Sequence, residues 1–561
     1  MKKYKSIITI VACLVFFLLV NIFLQRYFFR VDLTTEKRYS ISDNTKKLMS
    51  ELHQPINMNI YLDGDLNSGF LRLQNSLREL LDEFSVYTET EFNYNFINPS
   101  AAKTEEERYN VYSHLVSRGM NPTTIYERDS EGKSIQKVIF PWIEIITEQD
   151  TFPVNLLKNI PGNSGAENLN ISIENLEFEL TDALRILNTK EVKKIAFIEG
   201  HDELSEDHVY DASVAFSRYF QVDRGTLGND ARVLDDYEAI IIANPQNEFS
   251  ERDKFIIDQY IMNGGKVLWF VDGVSFSTDD LSASGVSPLI DKELNLSDML
   301  FCYGIRINPI LLQDVQCVQM PINVSAGANP QYESMPWFFA PLLLPNSMHP
   351  ISRNLTQVSA NFCSSIDFIS GNDLVSKIVL LSTSSATHQQ KLPSMIDLRE
   401  MPDENDKKFF NASFVPVAAV LEGIFNSAFT NRLIPEGITE FSARKNKSTI
   451  TRMLVVADGD IIKNDVVNTG SNFQVLPMGF DRYSGIQFGN KNFVVNALLY
   501  LTDEENWFQL RNRTFKVRML NKSNVYSNAL FLKWINVLLP IIVLFLCGGV
   551  YLLIRHLKYK K

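Results

Sequence analysis

Polar residues that could take part in catalysis or bind a cation follow three apolar runs of the chain. His201 and Asp202 come after one run, Asp272 after another, and Asp458 and Asp460 after a third. If the runs are parallel strands, their carboxyl ends meet at one edge of a sheet, where ligands bind in open α/β folds. Carboxylates gathered there would suit a hard cation such as calcium.

The other interpretation of these residues is structural. Aspartate at the end of a strand commonly tightens a turn or caps a helix, and we adopt this interpretation. The sequence therefore predicts no metal ion or other cofactor, and His201, Asp272, Asp458 and Asp460 are the candidate ligands should a cation bind.

Common catalytic motifs do not occur in the sequence. It contains no G-x-x-x-x-G-K-[ST] loop, so we do not expect an ATPase, and it contains neither H-E-x-x-H nor G-x-S-x-G. The region from residue 191 looks similar to class I amidotransferase-like domains, which place a cysteine nucleophile at a sharp turn after a buried strand. Here the turn reads Asp272-Gly273-Val274. We therefore predict that the protein is not an enzyme.

The cysteines fit no zinc pattern. Cys13 and Cys547 lie in apolar segments near the chain ends, and Cys302, Cys317 and Cys363 lie in the middle. The last three are either buried thiols or include one disulfide, and an odd number leaves one thiol unpaired.

Two hydrophobic patterns indicate an α/β fold. Residues 31–190 follow the order β-α-β-α-β-β-α of a thioredoxin-like domain, with two hairpins before the last helix, and the absence of cysteine there excludes thiol redox chemistry. Beyond them, short wholly apolar runs at 195–198, 239–242 and 267–271 alternate with helices. Such runs are typical of strands buried on both faces of a parallel sheet, so this part is predicted to be doubly wound, amidotransferase- or flavodoxin-like. Ser205 and Ser250 are the predicted caps of two of its helices.

The pattern changes to short β-like runs with proline near residue 289, and an apolar run at 453–457 with a following helix is predicted to rejoin the parallel sheet. The polar stretch 384–409 reads as a mobile loop. The predicted parts are a transmembrane anchor at 1–30, a thioredoxin-like domain at 31–190, the first part of the doubly wound domain at 191–288, a β-rich insertion at 289–449, the return to that domain at 450–528, and a transmembrane helix with a basic tail at 529–561.

An aromatic group lies in the insertion. Tyr332, Trp337, Phe338 and Phe339 either form an exposed docking patch or fill the core of the insertion.

Each end of the chain carries an apolar segment long enough to span a bilayer, at residues 7–24 and 535–554. Bulky and charged residues follow the first, which favours an uncleaved anchor over a signal peptide, and a lipoprotein-like sequence ending at Cys13 is the rival interpretation. Arg555, Lys558 and the terminal lysines put the carboxyl terminus in the cytoplasm, and two spans put the amino terminus there too.

The charge distribution agrees with membrane flanks and disfavours nucleic acid. The chain has a net charge of −12 although both ends are basic, so the region between them is strongly acidic. With both termini inside, the bulk of the protein is predicted to be periplasmic and anchored in the inner membrane.

The second apolar segment contains residues that a simple anchor does not need. They are Asn536, Pro540, Gly548 and Gly549. Small residues let another helix approach closely in lipid, and proline frees a carbonyl that a neighbour can satisfy. These residues either form an interface with a membrane partner or reflect the ordinary abundance of glycine and proline in membrane helices.

Several short motifs resemble a known family. They are Asp32-Leu33-Thr34-Thr35-Glu36-Lys37-Arg38-Tyr39-Ser40-Ile41-Ser42, Tyr61-Leu62-Asp63-Gly64-Asp65-Leu66, Leu80-Leu81-Asp82-Glu83-Phe84, Glu177-Phe178-Glu179-Leu180, Asn263-Gly264-Gly265-Lys266-Val267-Leu268 and Asp458-Gly459-Asp460. Their order between two spans resembles the gliding-motility-associated ABC transporter auxiliary, or substrate-binding, proteins of Bacteroidota (GldG-like).

That resemblance implies a role in gliding or associated secretion. The implied partners are an ABC permease subunit in the lipid bilayer, through it a cytoplasmic ATPase, and other gliding or secretion machinery. We expect a noncatalytic membrane subunit that acts by protein–protein interaction. The alternatives are an extracytoplasmic solute receptor with a ligand pocket and an amidotransferase-like hydrolase.

Overall fold

The computed structural model describes most of the chain. The described residues are 16, 40–128, 134–148, 151–160, 163–188, 191–323, 325, 331–400, 402–439, 443–468, 473–503, 507–508 and 527–559. Those from 40 to 508 belong to one compact unit, which we call the body, and those from 527 to 559 belong to a second.

The body begins with a four-stranded sheet and its helices. The elements are α1 (Asp43–Ser50), β1 (Ile56–Ile60), α2 (Ser68–Tyr87), β2 (Phe92–Phe96), α3 (Glu105–Ser117), β3 (Thr123–Arg128), β4 (Ser134–Ile139), β5 (Trp142–Ile146), β6 (Thr151–Asn155) and α4 (Gly165–Asn188). The sheet order is β2-β1-β5-β6, in which β1 and β2 are parallel and β5 and β6 run antiparallel to their neighbours. Strands β3 and β4 form a separate ribbon, so both predicted hairpins are present.

Hydrophobic periodicity explains this part. In β1, Ile56, Met58 and Ile60 alternate toward the core and are at most 2% exposed. In α4, Leu176, Leu180 and Leu184 recur every fourth residue and are buried, as the amphipathic pattern predicts.

A larger sheet and its surroundings make up the rest of the body. The elements are β7 (Lys194–Glu199), α5 (Tyr210–Ser217), β8 (Gln221–Thr226), β9 (Tyr237–Ala243), α6 (Glu251–Met262), β10 (Lys266–Phe270), β11 (Val274–Ser275), α7 (Thr278–Ser284), β12 (Val286–Asp291), α8 (Ser297–Tyr303), β13 (Ile305–Asn308), β14 (Ile310–Asp314), β15 (Cys317–Asn323), β16 (Tyr332–Pro345), β17 (Val358–Ser359), β18 (Ser365–Phe368), β19 (Val375–Ser382), β20 (Thr387–Lys391), β21 (Ser394–Asp397), β22 (Pro416–Gly423), β23 (Thr451–Val456), β24 (Val466–Asn468), β25 (Phe473–Val475), β26 (Phe480–Asp481), β27 (Ile486–Gln487) and α9 (Asn490–Leu501).

Five parallel strands form one half of this sheet, in the order β8-β7-β9-β10-β23. Strand β23 lies beside β10, with Leu268 opposite Leu454, so the prediction that residues 453–457 rejoin the sheet is confirmed. The central strands are apolar throughout because both of their faces are covered, and Ile241, Leu268 and Val455 are completely buried.

The other half of the sheet comes from the region predicted as a β-rich insertion. Strand β22 pairs antiparallel with β23, and β19, β16 and β15 continue outward, with β17 beside β16. The insertion thus extends the sheet through backbone hydrogen bonds.

One local prediction was wrong in part and another was wrong. Residues 387–397 of the expected loop mostly form strands, since β20 pairs with β14, β21 pairs with β12, and Ile396 is 1% exposed. Ser205 does not cap a helix: it precedes a 3-10 turn, Glu206–Val209, and its hydroxyl lies 2.9 Å from His208 Nδ1. Ser250 does cap α6, because its hydroxyl accepts a hydrogen bond from the Asp253 N–H.

The second unit contains a helix, α10 (Ala529–Tyr559), of 31 residues including Pro540. Within the described parts of the chain, it is the one helix long and apolar enough to cross a membrane. It includes the predicted span at 535–554. The predicted span at 7–24 lies outside the described residues except for Phe16.

Candidate functional site

The carboxyl ends of β10 and β23 bring three predicted residues together. Asp272 follows β10, and Asp458 and Asp460 follow β23, which is its hydrogen-bonded neighbour. Asp272 Oδ1 accepts a hydrogen bond of 2.6 Å from the Gly459 N–H, and Asp458 Oδ1 accepts one of 2.7 Å from the Asp460 N–H. The expected convergence of strand ends therefore occurs for these carboxylates.

Lysine and asparagine residues supply ion-pair and hydrogen-bond partners for this cluster. The Lys292 ammonium lies 3.2 Å from Asp272 Oδ2 and 3.0 Å from Asn244 Oδ1. The Lys463 ammonium lies 3.4 Å from Asp460 Oδ1. Asn361 bridges the remaining pair, because its N–H donates to Asp458 Oδ2 at 2.7 Å and its side-chain amide donates to Asp460 Oδ2 at 2.8 Å.

Burial governs the protonation of the cluster. Burial and then the neighbouring Asp460 and Asp272 carboxylates raise the pKa of Asp458 well above its usual value. Burial also raises the pKa of Asp272 against the opposing effect of Lys292. Burial lowers the pKa of Lys463, but the Asp460 carboxylate outweighs it and the net pKa is raised. The cluster is thus a buried polar network in which burial opposes the negative charge of Asp458 and the Asp460 carboxylate stabilises the positive charge of Lys463.

Close backbone contacts leave little room around the cluster. A Cβ at Gly459 would lie 2.2 Å from Asn244 Cγ, and a Cβ at Gly273 would lie 2.6 Å from the Asn308 carbonyl oxygen. Across the described residues, no group of three or more His, Cys, Asp and Glu side chains has the geometry to hold a metal ion. These hydrogen bonds and close contacts link the ends of β10 and β23 to the region that supplies Lys292, Asn308 and Asn361.

His201 belongs to a separate network. Its Nδ1 lies 2.9 Å from Glu203 Oε1 and its Nε2 lies 3.4 Å from Asp253 Oδ2, while its ring stacks on Phe249 with centroids 3.6 Å apart. Burial lowers the pKa of His201, but the hydrogen bonds to Asp253 and Glu203 outweigh it and raise the pKa to about 9. His201 is therefore an imidazolium at neutral pH, held between two carboxylates. Asp202, next to it, is exposed and has a φ of 58°.

The crevice between β7 and β9 is closed by its own loops. The Leu204 N–H donates to the Ala243 carbonyl at 2.9 Å, and the Gln246 and Asn247 N–H groups both donate to the His201 carbonyl. These bonds use backbone groups that a ligand at this edge of the sheet would otherwise meet.

Sequence reasoning missed Lys292, Asn361 and Asn244. The first two come from the region after β11 and reach the strand ends only through the tertiary fold. Asn244 gave a weak signal, because an asparagine directly after a buried strand is one of the few residues that accept a positive φ, here 53°.

The cysteines and aromatic residues take structural positions. Cys302, Cys317 and Cys363 are free thiols, and burial raises the pKa of Cys317 to about 12. Phe338 and Phe339 are at most 3% exposed, so they fill the core, whereas Tyr332 is 66% exposed. The four aromatic residues therefore do not form one exposed patch.

Helix α10 presents its predicted interface residues on two sides. All four are exposed. At 3.6 residues per turn, Asn536 and Pro540 lie within about 40° of each other around the axis, while the Gly548–Gly549 pair points about 150° away from them. One partner helix therefore cannot contact both sets through a single narrow seam.

Comparisons with known proteins identify related sequences. A family model described as an ABC-type uncharacterized transport system matches residues 192–497. A model for a domain of unknown function matches residues 35–146. A protein of Borreliella burgdorferi described as "Uncharacterized protein" is 23% identical over 568 residues, covering 99% of this chain and 98% of that protein. A solved chain described as "mmIFT52 N-terminal domain" is 13% identical and aligns with 56% of this chain and 99% of its own length, with a TM-score of 0.31.

Proposed function

We propose that this chain, which belongs to the family described as an ABC-type uncharacterized transport system, is a noncatalytic, membrane-anchored subunit of an ABC transporter complex. It would bind an ABC permease subunit and, through it, a cytoplasmic ATPase, and it acts by protein–protein contact. The observation that carries the proposal is an exposed apolar helix of 31 residues, α10, in a chain of this transport family.

The strand-end network supports a noncatalytic role. The position that carries a nucleophile in amidotransferase-like domains holds Asp272, whose carboxylate is bonded to Lys292 and to the Gly459 N–H. The next residue, Gly273, is covered by the Asn308 carbonyl. A reacting group at this turn would have to displace protein atoms, so the hydrolase alternative has little support.

The two strand orders support the finer fold assignment. The order β2-β1-β5-β6, with one parallel and two antiparallel pairs, is that expected of a thioredoxin-like domain. The order β8-β7-β9-β10-β23 is second-first-third-fourth-fifth along the chain, as in flavodoxin-like doubly wound sheets. We adopt both assignments as part of the proposal.

The proposed topology has two spans, with both termini in the cytoplasm and the body in the periplasm of the inner membrane. Single cysteines introduced near Asn44 and Lys522 should react with a membrane-impermeant thiol reagent in cells with a permeabilised outer membrane, and one near Lys560 should not. The unsubstituted chain gives the background from its own thiols. Labelling at Lys560 without lysis would contradict this topology.

Affinity purification of the tagged full chain from its native membrane tests the partners. A permease and an ATPase should co-purify under mild detergent. Their absence, with the chain intact and abundant, would contradict the proposal.

The finer role in gliding motility or associated secretion rests on the motif resemblance, and deletion of the gene tests it directly.

A noncatalytic role predicts that Asp272→Asn keeps function. Asparagine keeps an oxygen for the Gly459 N–H and removes the charge that acid–base or nucleophilic chemistry would need. Complementation of the deletion strain should therefore stay at the wild-type level, measured as motility at equal protein abundance. A deficit in motility with normal assembly of the complex would instead indicate a reactive site at Asp272.

A further inference from the structure

A cleft of about 290 Å³ lies beside the strand-end network. Asn361, Asp460 and Lys463 line it, so it lies at the carboxyl edge of the sheet, where ligands bind in α/β folds. The side chains of Asp460 and Lys463 are 22% and 32% exposed, so solvent reaches these charged groups. The volume is at the lower limit of ordinary ligand pockets, which suits a small ligand or the end of a longer one.

The β26–β27 hairpin forms one wall of the cleft. Asp481 accepts hydrogen bonds from the Tyr483 and Ser484 N–H groups, and Gly485 completes the turn at a φ of 68°. This turn presents Arg482 and Tyr483 at its tip, with the guanidinium 5.3 Å from the centre of the Tyr483 ring, and Tyr483 is 51% exposed. Arg482 lies over one side of this half-exposed ring, so a ligand would use the ring surface that Arg482 leaves uncovered.

The β15–β16 ribbon forms the second wall. Trp337 lines the cleft together with Met320. The Trp337 ring packs edge-on against Phe339 and Phe362, with centroids 5.2 Å and 6.3 Å away. These contacts fix the orientation of the indole ring. Ligand binding therefore does not have to immobilise this side chain, which reduces the entropic cost of binding.

The charges of the lining nearly cancel. Asp460 and Lys463 pair with each other, and Asp481 is used by its own turn. Asp465 and Arg482 remain, with opposite signs. The lining holds the three carboxylates of Asp460, Asp465 and Asp481 and the two cations of Lys463 and Arg482. No excess of positive charge selects a phosphate, and one excess negative charge is too little to select a polyamine.

We propose that this cleft binds a neutral saccharide. Sugar rings present an apolar C–H face that can lie on Trp337 or Tyr483, and hydroxyl groups that can donate to Asp465 and accept from Arg482 or Lys463. Saccharide binding adds a ligand to the proposed subunit and does not depend on its membrane partners.

Isothermal titration calorimetry on the purified full chain tests the site, in a detergent without a sugar headgroup. The probes are N,N′-diacetylchitobiose, cellobiose and maltose, with glycylglycine and inorganic phosphate as rival ligands. At least one saccharide should bind saturably at millimolar concentration. The Tyr483→Ala variant should weaken that binding about tenfold, as expected for the loss of one stacking surface.

Tyr109→Ala is the matched control, because Tyr109 is 71% exposed on α3 and does not line the cleft. It should leave the affinity unchanged. The proposal is overturned if none of the three saccharides binds, if Tyr483→Ala and Tyr109→Ala bind equally well, or if only the dipeptide or phosphate binds. Co-purification of the permease with the Tyr483→Ala variant tests the subunit proposal independently. If the permease co-purifies normally, a failure to bind saccharides counts against the cleft proposal alone.

Discussion

Replacing His201 by alanine should destabilise the body by about 3–5 kcal/mol, because the substitution removes the cation that lies between two largely buried carboxylates. His201 is 5% exposed, and the side chains of its partners Glu203 and Asp253 are 3% and 12% exposed. The substitution also removes the ring that stacks on Phe249. Thermal unfolding of the full chain, followed by circular dichroism at pH 7, measures the effect.

The same network predicts a pH dependence. The pKa of His201 is about 9 in the folded chain, against an ordinary value of 6.5, so the folded chain binds this proton more tightly. The resulting stabilisation is complete below pH 6.5 and is lost as the pH rises through about 9. The wild-type chain should therefore lose more stability between pH 6.5 and 9.5 than His201→Gln, which has no titrating ring.

His208→Ala is the matched control for both measurements. His208 lies seven residues on, in the 3-10 turn, with its ring hydrogen-bonded to the Ser205 hydroxyl near the surface. We expect its substitution to cost no more than about 0.5 kcal/mol, as is usual for surface changes. The buried ion pair would not contribute to stability if the two alanine variants lost equal amounts of stability. Parallel pH profiles of stability for the wild type and His201→Gln would show the same.

The network of His201, Glu203 and Asp253 was predictable from the sequence only in part. An apolar run before His201 indicated a buried strand, and that prediction needed only local hydrophobicity. The partners of His201 depended on the tertiary fold, since Asp253 is 52 residues away, in the first turn of the helix that Ser250 caps. The Asp253 carboxylate accepts a hydrogen bond from the Ser250 hydroxyl and also contacts the imidazole.

The sheet itself was predictable in its parallel half and not in its antiparallel half. Strands β9, β10 and β23 are short apolar runs buried on both faces, which is a strong local signal. The region of β16 and β19 was predicted only as short β-like runs with proline, and these two strands are partly exposed, so their patterns indicated neither strand bounds nor pairing partners. Pairing between distant segments, such as β20 with β14, depends on tertiary packing that no local pattern records.

The two faces of α10 raise a question that the sequence alone left open. Proximity along the chain suggested one interface made of Asn536, Pro540, Gly548 and Gly549, but helical geometry puts the glycines and the other two residues on nearly opposite sides. Association within lipid depends on close packing, since there is no hydrophobic driving force between helices in lipid tails. The glycine side is the one where a partner backbone can approach most closely, because no side chain stands in between.

Replacing Gly548 and Gly549 together by leucine should therefore separate α10 from the permease. Two added isobutyl groups would hold a partner helix away from the glycine face, while the greater hydrophobicity keeps the segment inserted. We expect at least about a tenfold drop in the permease recovered with the tagged chain, equivalent to about 1.4 kcal/mol of lost association. Immunoblotting of both subunits after purification in mild detergent measures the ratio.

The control is a chain carrying Val543→Leu and Val550→Leu. These positions lie roughly opposite the glycine pair on the same helix, so the substitutions add bulk and hydrophobicity without touching the glycine face. This variant should recover the permease at the wild-type ratio. If the glycine variant also keeps that ratio, close packing through the glycines is excluded and the Asn536–Pro540 side becomes the remaining candidate on this helix. If both variants lose the permease, added volume anywhere on α10 is harmful, which points to a partner that surrounds the helix.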